Sequence, residues 1–145
     1  MSFLNNVPEY LQAISVYPTG SKYICNPPVL NTDEDYLVLV TDFTAVYQKL
    51  TSWDSPWEDC MPPGSDEFAS AYEDEKAYGI PWNAFRLGEI NIMVTEDKNW
   101  YFASVAATEL CKAWNVLDKD KRIRIFRNLK YREVLVEGDF PNGTA

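Results

Sequence analysis

The sequence predicts an α+β domain in which a small mixed sheet of about four to five strands carries helices packed on it. Three observations predict it. Residues 35–41 read as a strand whose apolar run, Tyr36 to Val40, is long enough to lie centrally in a sheet with both faces covered. Ile90, Ile92 and Val94 alternate with Glu89, Asn91 and Met93, which is the period of a half-buried strand. Elsewhere apolar residues recur at intervals of three and four, the period of a helix with one buried stripe.

The elements follow in order. Pro8 suits a first helical turn, and Tyr10, Leu11 and Ile14 continue at helical spacing, so a short opening helix is expected there. Residues 16–19 form a strand that leads to Gly20. Residues 22–31 read as an irregular loop or a loose strand, since Pro27 and Pro28 donate no hydrogen bond to a ladder. After the central strand, Asp42 is placed to cap a helix over residues 43–53, whose stripe is Val46, Tyr47 and Leu50. Residues 54–79 hold Pro56, Pro62, Pro63 and Gly64 among acids and aromatics, the composition of a long loop or lid. Residues 82–86 and 89–95 pair as a hairpin about Leu87-Gly88. Glu96 and Asp97 begin a helix covering residues 99–115, and a last helix over residues 118–132 buries Ile123, Phe126 and Leu129. The domain spans residues 1–133, and residues 134–145 are a loosely held tail in which Asn142-Gly143-Thr144 forms a sequon.

Composition narrows the chemistry. The 145-residue chain contains no histidine, which excludes Ser-His-Asp and Cys-His hydrolysis, HExxH zinc sites and any histidine general base. Cys25, Cys60 and Cys111 are odd in number and widely spaced, so they are read as reduced thiols in or near the core. No apolar run approaches the roughly 18 residues that span a bilayer, and residues 1–6 lack the pattern of a signal peptide, so a cytosolic location is expected.

The net charge of −9 disfavours nonspecific attraction to nucleic acid, but its distribution is uneven. Between Asp54 and Ala77 eight acids face the single base Lys76, whereas residues 98–132 hold nine of the thirteen bases. On the basic helix, Lys119, Lys121, Arg122 and Arg124 are either a solvated face or contacts for RNA, DNA or nucleotide phosphates. The acidic segment, with Glu58, Asp59, Glu73, Asp74 and Glu75 interleaved with aromatics, is either an ordinary loop or a surface that binds a basic partner protein.

The strongest chemical signal is Gly20-Ser21 followed by Asp33-Glu34-Asp35 at the start of the central strand. Alternate residues of a strand share a face, so Asp33 and Asp35 can converge on one ion. Paired oxygen donors suit Mg²⁺, and a glycine-serine turn lets backbone N–H groups approach phosphates. The same residues also fit an ordinary strand start and turn. Helix, strand, Gly-Ser, an Asp-x-Asp opening an apolar strand and a later neighbouring strand together resemble the minimal, DNA polymerase β-like nucleotidyltransferase superfamily over residues 16–94. Residues 102–126, with Ala107-Thr108-Glu109, Trp114-Asn115 and Arg122-Ile123-Arg124-Ile125-Phe126, more faintly resemble small phage-encoded members.

That resemblance implies Gly20, Ser21 and the adjoining Lys22 as the phosphate turn and Asp33 and Asp35 as ligands of Mg²⁺. It implies a third carboxylate at the position of Asn91, where this chain has an amide, with Glu89 two residues earlier as the substitute. The implied reaction moves a nucleoside monophosphate from a nucleoside triphosphate to a hydroxyl on RNA, protein or a small molecule. The alternative is a catalytically inactive binding protein, a phage-type antagonist that docks on a host protein in the host cytoplasm through its acidic surface.

Overall fold

A computed structural model describes residues 3–29 and 33–139. Its strands are β1 Ala13–Thr19, β2 Glu34–Val40, β3 Glu58–Asp59, β4 Trp82–Leu87 and β5 Ile90–Thr95, and its helices are α1 Gly20–Ile24, α2 Phe43–Leu50, α3 Asp66–Tyr78, α4 Lys98–Ala113 and α5 Lys119–Tyr131. The strands form one sheet in the order β1-β2-β5-β4-β3. β2 and β5 run parallel while every other neighbouring pair is antiparallel, so the sheet is mixed and the fold is α+β.

Alternation along β2 divides the core. Tyr36, Val38 and Val40 join Phe85, Ile92 and Val94 beneath Val46 and Leu50 of α2 and Leu11. Leu37 and Leu39 point the other way and pack with Trp100 and Tyr101 of α4 and Tyr131 of α5. A second cluster on that side joins Ile24 and Cys25 to Ala107, Cys111 and Ile125. Residues 36–40 are an unbroken apolar run because both faces of the strand are covered. The helices start where side chains satisfy their free N–H groups: Asp42 accepts from the Ala45 N–H at 3.1 Å, Asp97 from Trp100 at 2.8 Å and Asp118 from Asp120 at 2.8 Å.

Several expectations are corrected. The opening helix is absent: Phe3–Asn5 and Glu9–Leu11 are single 3₁₀ turns, Gln12 at φ 49° ends the second, and β1 begins at Ala13. Leu11 is the one apolar residue of the expected stripe to be buried, while Ile14 is exposed. The first residues of the stretch expected to be irregular from residue 22 belong to α1, which carries Ile24 into the core. The long loop at residues 54–79 contains β3 and the thirteen-residue α3, started by the Ser65 hydroxyl accepting from the Phe68 N–H and ended by Gly79 at φ 74°. Its acids obscured a helix that buries only Ala71 and so has almost no apolar stripe.

The buried side of α5 also differs. Ile125 and Tyr131 are buried, whereas Ile123 and Leu129 are exposed, because Tyr131 stacks on Tyr78 of α3 and accepts a hydrogen bond from the Trp100 indole at 3.0 Å. Within the expected tail, Val134 and Val136 are exposed, while Asp139 is buried and accepts from Arg124 Nε at 2.8 Å. Residues 140–145, with the sequon, lie outside the described residues. Cys25 and Cys111 are buried free thiols, and Cys60 is half-buried. Among the described residues, no helix is long and apolar enough to cross a membrane.

Lys130 is a local weakness. Its ammonium lies 4.4 Å from the Trp100 ring centroid, and burial followed by the nearby Arg127 charge pushes its pKa from 10.5 down to about 8, against the pull of Asp74 and Glu133. A pKa displaced that far corresponds to about 3 kcal/mol of destabilisation, of which the cation–π contact offsets roughly 1 kcal/mol. The cost is full below pH 8, where folded and unfolded chains are both charged, and disappears above pH 10.5, where both are neutral. Lys130→Met is therefore expected to stabilise the fold by about 2 kcal/mol at pH 7, with the gain shrinking as pH rises through that window. Urea denaturation at pH 7 and pH 10.5 measures it, and equal gains at both would assign the effect to packing.

Candidate functional site

The hairpin and the parallel pairing of β2 with β5 bring distant residues onto one rung. Thr19 of β1 is opposite Asp35 of β2, Asp35 is paired with Asn91 of β5, and Asn91 is opposite Arg86 of β4. These side chains share the face of Leu37 and Leu39, the α4 side, and sit at the end of the sheet where β1 turns into α1. Gly20, the first residue of α1, adopts φ +78°, and a Cβ built on it would lie 2.8 Å from Asp35 Cγ. Only glycine accepts that backbone together with so close a carboxyl. The glycine-serine turn and the aspartate pair, separated in the sequence, therefore meet.

The pair is held by hydrogen bonds. Asn91 Nδ2 donates to Asp33 Oδ2 and to Asp35 Oδ1, each at 3.1 Å. Arg86 Nη2 reaches Asp33 Oδ2 at 2.9 Å while its Nε donates to Asn91 Oδ1 at 3.0 Å. The amide thus bridges both carboxylates, and the guanidinium orients the amide. Burial, with the Asp33 charge adding to it, pushes the Asp35 carboxyl above the usual carboxylate range; the Asn91 hydrogen bond and the charges of Arg86 and Lys119 oppose that. Thr19 donates to or accepts from Thr108 of α4 at 2.7 Å, which fixes the β1 end of the rung.

Glu89 is at the hairpin turn and exposed, and its backbone carbonyl accepts from the Glu34 N–H at 2.8 Å. Its carboxylate does not enter the network among the described residues. Lys22 lines a cleft of about 180 Å³ beside Asp35 with Thr19, Tyr23 and Glu34. That volume is below the roughly 300 Å³ at which small-molecule pockets begin, so it has the scale of a phosphate and its ion rather than of a whole nucleotide. Of the four bases singled out on α5, Arg122 donates to the Val116 and Leu117 carbonyls and Arg124 pairs with Asp139, so both are structural. Lys119 is near enough to act on Asp35.

Arg86 was not legible as a site residue. The signal was the hairpin register: with a two-residue turn at Gly88 and Glu89, position 86 falls opposite 91.

The donor chemistry fits Mg²⁺ in one particular way. Among the described residues, no three Asp, Glu, Cys or His side chains gather in a group that could hold a metal, so the donors are the two carboxylates, since Asn91 turns its Nδ2 to them and its Oδ1 to Arg86. Mg²⁺ is commonly held by one or two carboxylates together with substrate phosphates and water. Asp33 and Asp35 therefore suit an ion that arrives with phosphates.

The architecture and the rung define an α+β protein with a half-buried aspartate pair at the end of a mixed sheet. No protein-family model, curated protein or solved structure matches the chain. The resemblance to nucleotidyltransferases consequently stands on this chain's residues and their arrangement.

Proposed function

We propose that this chain is a nucleotidyltransferase-fold protein that takes a nucleoside triphosphate with Mg²⁺ and transfers the nucleoside monophosphate to a hydroxyl acceptor, releasing pyrophosphate. The observation that carries the reading is the Asp35 carboxyl packed on Gly20, with Asp33 beside it. Asp33 and Asp35 would hold the cation, and Gly20, Ser21 and Lys22 would receive the phosphates. When bound, Mg²⁺ neutralises phosphate charge and stabilises the charge that develops on the transferred group. Lys119, close to Asp35, adds positive charge on the same side.

A second reading is favoured by one specific observation. Asn91 and Arg86 already satisfy the aspartates, as a retired site would, leaving a protein that binds a host partner through its acidic surface. Calorimetric titration of the four nucleoside triphosphates with Mg²⁺ separates the readings. Metal-dependent binding that disappears in Asp33→Asn with Asp35→Asn supports the first; absence of binding by the wild type overturns it.

Arg86 supplies a finer test. Its guanidinium is 47% exposed and competes with any cation for Asp33. An exposed ion pair contributes about 0.2–1 kcal/mol, so Arg86→Ala is expected to tighten Mn²⁺ binding by roughly one-and-a-half- to fivefold in a paramagnetic titration. Weaker binding in that variant would mean that Arg86 supports the ion rather than opposing it.

A further inference from the structure

At the opposite end of β4 from Arg86, a cleft of about 390 Å³ opens between α2 and α3. Phe43 and Tyr47 of α2 form one wall, Phe68 and Tyr72 of α3 the other, and Glu75 and Glu96 belong to its lining. The volume lies within the usual range for a binding site. We propose that this cleft is a docking site for a basic segment of another protein, whose arginine or lysine side chain inserts between the aromatic walls and pairs with the two carboxylates.

Three features of the molecule point to that occupant. Phe68 and Tyr72 line the cleft, remain 37% and 55% exposed, and stack on each other with ring centroids 6.3 Å apart. Aromatic faces with nearby carboxylates are the chemistry that recognises an ammonium or guanidinium group. The helix that carries this wall has acids at Asp66, Glu67, Glu73, Asp74 and Glu75 against the single base Lys76, and among the described residues only Asp74 is ion-paired, with Arg127. The remaining charges attract a basic partner and repel nucleic acid.

The helix is also fastened in a way that leaves the cleft open. Asp74 accepts from Arg127 at 3.0 Å, and Tyr78 stacks on Tyr131 at 4.2 Å and donates to Glu133 at 2.9 Å, all toward the C-terminal half of α3. The half that bears Phe68 and Tyr72 buries only Ala71. The cleft shares no lining residue with the one beside Asp35, so this inference is independent of the nucleotide reading.

The test is calorimetry of the intact chain with a synthetic peptide alternating arginine and glycine. Three pairs of substitutions are compared: Phe68→Ala with Tyr72→Ala, Glu75→Gln with Glu96→Gln, and Glu67→Gln with Glu73→Gln. The first removes rings without altering charge, the second removes the cleft carboxylates, and the third removes the same charge from α3 outside the cleft. Each of the first two is expected to weaken binding about fivefold, and the third less than about twofold. Equal loss in the two charge pairs with no effect of the aromatic pair would reduce the attraction to net charge and overturn the proposal, as would a wild type that does not bind. Tyr72→Phe keeps the ring and should keep binding, which guards against misreading an alanine variant that folds poorly.

Discussion

Gly20→Ala is expected to lower stability by about 3 kcal/mol, summing roughly 1–2 kcal/mol for a side chain at positive φ and 1–3 kcal/mol for overpacking against Asp35. Urea denaturation should show this as a midpoint lower by roughly 1.5 M for a chain of this size. Gly79 provides the comparison, because it has nearly the same φ of +74° but nothing within 4 Å of a Cβ built on it. Gly79→Ala should therefore show the backbone cost alone. Adding Asp35→Gly to Gly20→Ala should recover the part due to collision. If the two alanine variants lose the same stability, the Asp35 carboxyl does not rest on Gly20, and the convergence on which the nucleotide reading depends is lost.

Asp33→Asn with Asp35→Asn is expected to remove metal-dependent nucleotide binding, by at least about tenfold in affinity, while the folded protein becomes more stable at neutral pH. The stability gain follows from Asp35. A carboxyl whose folded pKa is raised binds its proton more tightly in the native state, so stability falls as pH rises from 3.8 through the folded value and stays lower above it. An amide at position 35 has no such cost. Thermal denaturation at pH 7 should place the Asp35→Asn midpoint above the wild type, with the difference vanishing below about pH 3.8. Loss of binding together with a raised midpoint is the signature of residues kept for a ligand at the expense of the fold. A variant that binds as before would remove the aspartates from the site.

Much of the sheet was legible because its signals are local. Residues 35–40 and 90–95 are strands as their apolar patterns require, and Asp42, Asp97 and Asp118 cap the helices that follow them. The segments that escaped are those whose order comes from partners elsewhere. α3 buries only Ala71 and is fastened by Arg127 and Tyr131, and the end of the described chain is fastened by Arg124. The buried side of α5 was misread for the same reason, since Tyr131 is enclosed by Tyr78 and Trp100 rather than by its own helical neighbours.

By itself the sequence determined the α+β class, the absence of histidine chemistry, the paired aspartates at a strand start, and the separation of acidic from basic segments, because composition and side-chain period act over a few residues. Only the tertiary structure decided that Asp35 rests on Gly20, that Arg86 and Asn91 hold the aspartates, and that an acid-lined aromatic cleft lies at the other end of β4. Those contacts join residues far apart in the chain, and strand register together with packing sets them.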